Sequence, residues 1–375
     1  MNILFVNLPF SGHVYPTLGL VRELICRGNE VTYLLTEQWK EAVLQTGAQF
    51  ACYQDDKKLS IQMQNAYHAG VKLAHNFDLI LYEQFFFLGK HLAEQFHKPV
   101  IRIFTSPASN KELMKAYINA GGMMGIFRLK WICQQWTKQV SKGITLKTDC
   151  WLEEIVQNPP ELNLVYTIRE FQPYADSFSD EHYKFLGASI YPRDKNPDLL
   201  LEQIKHPLIY ISLGTVVNRA KGFYQKCFDA FRSENVTVVL SIGNSIDKNS
   251  LREIPENFLI YPFVPQLEVL EKCNVFITHG GLNSVTEALY FGVPMVVIPF
   301  MSDQPINANR IEELELGKRL ERKRITSTVL KNTTMDVIQN KRILQNVRSM
   351  QSKMRCANGN KYGAEIIIDY GKRYC

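Results

Sequence analysis

Val275-Phe276-Ile277-Thr278-His279-Gly280-Gly281 runs into Leu282-Asn283-Ser284-Val285-Thr286-Glu287-Ala288-Leu289-Tyr290, and Gly292-Val293-Pro294 then leads to Met295-Val296-Val297-Ile298-Pro299 and the polar pair Asp303-Gln304. The order is strand, glycine turn, helix (Asn283 to Tyr290), turn, strand, polar tip. A buried strand that alternates with a helix in this way implies a parallel sheet, and in open parallel sheets ligands gather at the carboxyl ends of the strands. The polar residues fall at those ends. Glycines allow close backbone approach, and a fresh helix N-terminus presents N–H groups and partial positive charge, a seat for phosphate or pyrophosphate. His279 can donate a further hydrogen bond there.

Working outward, the same rhythm fills the chain. Ile3–Asn7, Glu30–Leu35, Asp78–Tyr82 and Val100–Phe104 read as strands. Tyr15–Arg27, Trp39–Thr46 and Gly89–Phe96 read as helices, the first started by Pro16 and stopped at Gly28. A second series starts at Leu208–Leu213 and continues through a Phe223–Arg232 helix and strands at Thr237–Ile242 and Leu259–Pro262. Between the series, Tyr191–Pro197 is polar and proline-bearing, as linkers are. The expected division is 1–191, a linker at 192–198, a second domain at 199–358, and a C-terminal helix at 359–375 that packs back on the first domain. The expected class is α/β, two similar open sheets with a cleft between them. Residues 106–154 break the pattern: they are helical, with Met123, Met124, Ile126, Phe127, Trp131, Ile132 and Trp136 as an apolar stripe. Ordinary core and a wall for an apolar ligand both fit such a stripe. The basic run Lys318–Arg324 reads as a solvated face.

At 375 residues, with 46% hydrophobic and 21% charged residues, the chain has the makeup of a globular enzyme, and its net charge of +6 suits an anionic ligand without the concentrated basic footprint of a nucleic-acid binder. The 8 cysteines form no Cys-x-x-Cys pair, so zinc is not expected, and reduced thiols and a cytoplasmic location are. The chain opens directly on a strand without a basic n-region, so no signal peptide is expected, and no apolar run approaches the roughly 20 residues of a membrane span.

Further candidates sit at other strand ends. Ser212-Leu213-Gly214-Thr215 offers hydroxyls and a glycine to a phosphate, or is a plain turn. Phe263-Val264-Pro265-Gln266 offers a ring to stack on a base, a backbone amide to read its edge, and a side-chain amide. Glu287 can accept from both ribose hydroxyls, though Ser284-x-x-Glu287 also reads as a capping box. Ser11-Gly12-His13-Val14-Tyr15-Pro16 lies between the first strand and first helix and is not a dinucleotide-binding glycine pattern.

Together these residues resemble the UDP-sugar signature of the family 1 glycosyltransferases: Phe263-Val264-Pro265-Gln266, then Thr278-His279-Gly280-Gly281-Leu282-Asn283-Ser284-Val285-Thr286-Glu287, Gly292-Val293-Pro294, and Asp303-Gln304-Pro305-Ile306-Asn307-Ala308, in register over about 45 residues. The chain is most similar to the bacterial macrolide-type members, including the broad-acceptor enzymes of bacilli. The resemblance implies a GT-B fold, two Rossmann-like domains facing across a cleft, with the donor in the second half and the acceptor in the first. It implies that His279, Gly281, Asn283 and Ser284 hold the diphosphate with Gly214 and Thr215 near it, that Val264 and Gln266 read uridine beside the Phe263 ring (usually Trp in the family), and that Glu287 holds the ribose. Asp303 and Gln304 would hold sugar hydroxyls, and Thr105 with Ser106 would contact donor sugar or phosphate. His13 matches the family's general base. Its orienting carboxylate, an Asp in the family, is Glu83 here: the longer side chain either reaches His13 after a small shift or leaves the base loosely held.

The expected reaction is inverting and metal-independent transfer of a hexose, glucose foremost, from a UDP-sugar to a hydroxyl of an apolar small molecule, with no cofactor. A UDP-sugar epimerase, a weakened nucleotide-sugar-binding protein, and an enzyme acting on a membrane lipid through residues 121–136 are the rivals. Nucleic acid is not an expected partner, and membrane contact is not favoured.

Overall fold

The computed structural model describes residues 1–119, 125–192, 204, 207–214, 221–244 and 246–374. Thr215, Met123, Met124 and most of the expected linker lie outside the described residues. The chain divides into two compact units, one formed by Met1–Tyr191 with Ala357–Cys375 and the other by Pro192–Cys356.

In the first unit the strands are β1 (Asn2–Val6), β2 (Glu30–Leu35), β3 (Gln49–Cys52), β4 (Leu79–Glu83), β5 (Val100–Phe104), β6 (Leu162–Val165) and β7 (Tyr183–Phe185). They form one parallel sheet in the order β3-β2-β1-β4-β5-β6-β7. Every residue of β4 and β5 is buried, because helices cover both faces. That is why these strands read as unbroken apolar runs rather than alternating ones. The short strands β3, β6 and β7 are not among those read from the sequence; each has only three or four residues, and β3 and β7 are the sheet edges.

The strand order reverses between β1 and β4, and there the structure corrects two local readings. The first helix spans Ser11–Cys26, so Pro16 lies inside it and His13 sits in its first turn rather than in a loop. Pro16 lacks an N–H and so cannot donate a helical hydrogen bond of its own, a tolerable loss so close to the helix start. The fourth strand runs one residue further than expected, so Glu83 is its last residue, while Asp78 stays outside and accepts from the Asn2 N–H at 2.8 Å.

The chain's end returns to this unit. The helix Gly359–Gly371 packs on the helix Ser11–Cys26, with Asn360 accepting from Tyr166 Oη at 2.9 Å and Glu365 paired with Arg27 at 3.0 Å. Cys133 and Cys150 depart from the expectation of reduced thiols. The helices Lys130–Val140 and Trp151–Gln157 bring their Cα atoms to 5.5 Å, within bonding geometry, and they form a disulfide. Cys26, Cys52, Cys227, Cys273 and Cys356 are free thiols.

In the second unit β8 (Leu208–Ser212), β9 (Thr237–Ser241), β10 (Phe258–Tyr261), β11 (Val275–Thr278), β12 (Met295–Val297) and β13 (Gly317–Arg319) form a parallel sheet ordered β10-β9-β8-β11-β12-β13, reversing between β8 and β11. In the run read as a solvated basic face, Lys318 and Arg319 belong to the edge strand β13, and Lys318, Arg322, Lys323 and Arg324 are exposed. At Gly317 a Cβ would lie 2.0 Å from the Met295 carbonyl oxygen, so only glycine lets β13 close on β12. Gly317→Ala should therefore destabilise the protein by about 1–3 kcal/mol in urea unfolding. Gly222→Ala, whose Cβ meets nothing within 4 Å in the helix Lys221–Phe231, should be neutral or stabilising by up to about 1 kcal/mol; equal effects would refute the steric account.

Candidate active site

In the first unit three side chains far apart in sequence converge at the carboxyl ends of β1, β4 and β5. Glu83 is fully buried at the end of β4. Its Oε1 accepts from His13 Nδ1 at 2.9 Å and from the Thr105 hydroxyl at 2.8 Å, and its Oε2 accepts from the Phe85 backbone N–H at 2.8 Å. A buried carboxylate costs several kcal/mol unless its lone pairs are met, and here three donors meet them. The longer glutamate therefore does reach the histidine. With Nδ1 donating to Glu83, the neutral imidazole carries its lone pair on Nε2, the state a proton acceptor needs. Asn7 Nδ2 donates to the His13 carbonyl at 3.0 Å and steadies the helix start. His13 is about a quarter exposed (23% of its side chain), so the ring is held but reachable.

Thr105 Oγ1 lies 3.0 Å from His13 Nδ1, so the residue expected at the donor sugar or phosphate stands beside this histidine. Its neighbour Ser106 accepts from the Gln84 side chain. Two residues that sequence reasoning missed flank the base. The Phe10 and Phe85 rings lie 5.9 and 5.3 Å from the His13 ring, and Phe85 in turn meets Trp151 at 6.1 Å. Trp151 is joined by Phe87, Phe127 and Trp136 at 6.0, 5.4 and 5.2 Å. The apolar stripe of the middle segment is thus split: Phe127 and Trp136 back this aromatic cluster, while Ile126 and Trp131 face outward. The only advance signal was the run Phe85-Phe86-Phe87 directly after Glu83.

In the second unit the sheet again reverses at the site. His279, directly after β11, has its ring against two glycines: a Cβ on Gly214 or Gly281 would lie 2.6 or 2.7 Å from it. The following helix spans Leu282–Phe291 with Gly281 as N-cap, so Ser284 lies inside the helix and does not cap it. Instead Asp303 Oδ2 accepts from the Leu282 N–H at 3.1 Å, and from Asn307 Nδ2 at 2.8 Å, while Asn307 also donates to the Gly280 carbonyl at 2.9 Å. Gln304 Oε1 accepts from the Phe300 and Met301 N–H groups at 2.8 and 3.0 Å. Asp303 and Gln304, expected at sugar hydroxyls, thus also build the turn itself. Asn307, quoted in the motif but given no role, is the link between them and the glycine turn.

Gln266 and Glu287 are held to each other, Nε2 donating to Oε2 at 2.6 Å, and Tyr210 Oη donates to Gln266 Oε1 at 3.2 Å. Ser284 Oγ lies 3.5 Å from Gln266 Nε2, and Asn283 is half-buried beside it in the helix's first turn. Phe263 leaves 45% of its surface exposed while Val264 is buried, which suits a ring that stacks above a backbone amide that reads an edge. Among the described residues no group of three or more His, Cys, Asp or Glu side chains could hold a metal ion, and no helix is long and apolar enough to cross a membrane.

Burial lowers the His279 pKa from 6.5 to about 4. The ring is therefore neutral at pH 7, an N–H donor rather than a cation. The sign follows from linkage: an unfolded chain binds this proton near 6.5 while the folded one refuses it, so the stability is complete above pH 6.5 and is lost as pH falls toward 4. Thermal unfolding between pH 7 and 4 should show a steeper loss for the wild type than for His279→Gln; parallel curves would refute the burial of this ring.

With the geometry in hand, three comparisons bear on it. Residues 192–355 match the model of the UDP-glucoronosyl and UDP-glucosyl transferase family. The chain is 34% identical to NDP-glycosyltransferase YjiC of Bacillus subtilis (strain 168), covering 99% of this chain and 98% of that one, and 29% identical to demethyllactenocin mycarosyltransferase of Streptomyces fradiae, covering 98% and 86%. Among solved structures, the glycosyltransferase of kitacinnamycin superposes with a TM-score of 0.80 at 26% identity, over 98% of each chain.

Proposed function

The chain belongs to the UDP-glucoronosyl and UDP-glucosyl transferase family, a UDP-glycosyltransferase of GT-B fold, and from that premise we propose that it moves glucose from UDP-glucose to a hydroxyl of an apolar natural product, with inversion and without a metal. The observation that carries the reading is the His13–Glu83 contact at 2.9 Å. An alcohol is a poor nucleophile until its proton is taken. His13 Nε2 takes that proton as the acceptor oxygen attacks the anomeric carbon from the face opposite the diphosphate. The bond from that carbon to the β-phosphate oxygen breaks, and its electron pair leaves with UDP. The imidazolium so formed is stabilised by Glu83, which is itself locked by Thr105 and the Phe85 N–H.

The second unit supplies the donor side of the proposal. Phe263 stacks on uracil, the Val264 backbone and Gln266 read its edge, and Glu287 accepts from the ribose. The Gln266–Glu287 hydrogen bond at 2.6 Å holds the two side chains side by side, so that one nucleoside can meet both. His279, neutral and glycine-backed, donates to the diphosphate together with the helix start at Asn283 and Ser284, and this takes the place of a divalent cation. Asp303 and Gln304, already fixed to the glycine turn and the 300–304 loop, present their remaining polar atoms to the sugar. The aromatic cluster behind Phe85 is the natural wall for an apolar acceptor, as the names of relatives such as demethyllactenocin mycarosyltransferase suggest for their own substrates. A UDP-sugar donor places the reaction in the cytoplasm. The rival reading of a weakened binding protein rests on Glu83 holding His13 loosely, and the 2.9 Å contact favours the transferase over it.

His13→Ala should lower kcat by about 10²–10⁴-fold, and Glu83→Gln by about 10²-fold or more, while calorimetry finds UDP affinity unchanged in both. A His13→Ala enzyme with wild-type kcat would remove the base assignment. NMR of the product from α-linked UDP-glucose should show a β-glucoside, formed equally well in excess chelator. An α-product, or loss of rate with chelator, would overturn the single metal-free displacement.

A further inference from the structure

We propose that the outward edge Ile126–Trp131 of the first unit, with the exposed face of the helix Lys130–Val140, is a docking surface for an anionic lipid bilayer. Three large apolar side chains stand out of the protein within six residues: Ile126 and Leu129 at 52% exposed and Trp131 at 63%. Singly exposed apolar residues are ordinary, but such a cluster marks a contact surface. Their neighbours settle which contact. Arg128 and Lys130 alternate with them, and along the helix Trp131, Gln135, Lys138 and then Lys142 share one exposed face at spacings of four, three and four. From Gly125 to Thr148 the chain has five Lys or Arg and no Asp or Glu.

Of the flanking acids, Glu112 pairs with Lys115, Asp149 accepts from Gln134, and Glu154 is buried against His91. The helix beneath, Leu59–Leu73, carries no acid either. Trp at the rim, with Leu and Ile beside it and a basic face behind, is the chemistry of the headgroup boundary of an anionic membrane, where rings and aliphatic side chains enter the interface and cations meet phosphates. The opposite face of the same helix (Cys133, Thr137, Val140) is buried, which holds the edge rigid. From beneath the patch, ring contacts run from Phe127 to Trp151 at 5.4 Å, to Phe85 at 6.1 Å and to His13 at 5.3 Å. Resting on the transfer proposed above, a docked protein would meet acceptors dissolved in the bilayer.

The test is co-sedimentation of the full chain, without substrates, with phosphatidylcholine vesicles and with vesicles of phosphatidylcholine and phosphatidylglycerol. Binding should appear only with phosphatidylglycerol and weaken as salt rises. Lys130→Ala with Lys138→Ala should weaken it about 25-fold, from about fivefold per cation, and Trp131→Ser several-fold. These side chains are exposed, so melting curves should be unchanged. Absent binding, equal binding to both vesicles, or wild-type binding by either variant would overturn the proposal. So would a dimer in light scattering that Trp131→Ser converts to monomer, which would assign the face to a second copy. Because no substrate is present, failure here leaves the transfer reaction untouched.

Discussion

The carboxylate of Glu83 is the constraint on which the first unit's chemistry depends. It is fully buried at the end of a central strand, where an unmet charge would be intolerable. Its three donors come from three places: the first turn of the helix after β1, the end of β5, and the backbone two residues on. Satisfying the charge therefore fixes the mutual position of these elements and holds the His13 ring in place while leaving it partly open. Stability and chemistry ask for the same hydrogen bonds here.

The second unit is built differently, around a neutral histidine and a glycine turn held by a side-chain network. Two glycines back the His279 ring, and burial keeps it neutral. Asp303 and Asn307 tie the glycine turn and the helix start to the loop after β12. The turn is thus held from outside by a network rather than by its own capping residue. The polar tip Asp303-Gln304 thus has a structural task of its own: it braces the turn and the loop after β12.

Between the base and the surface lies a continuous set of rings, half of it core and half of it open to the outside. The middle segment carries both roles because its helices are short and amphipathic, one face packed on the sheet's helices and the other exposing Trp131 and its basic neighbours. A single apolar stripe in sequence is divided by the fold between a packed ring cluster and an exposed edge.

By itself the sequence determined the two parallel sheets, since strands buried on both faces are written as short apolar runs, and their alternation with helices leaves few topologies. It also determined the donor motif, whose residues lie close together along the chain and fall at strand ends. The tertiary structure alone decided the rest. His13, Glu83 and Thr105 are separated by 70 and 22 residues and meet only because β1, β4 and β5 are neighbours in the sheet. Pro16 was read as a helix start because its local preference says so, whereas the helix begins at Ser11. Ser284 matched a capping pattern that Asp303 supersedes from 21 residues away. Cys133 and Cys150 carry no spacing signal, yet two helices bring them within bonding distance. Periodicity is a local property and can be read residue by residue; which side chains meet across a sheet depends on strand order and packing, and these exist only once the whole chain has folded.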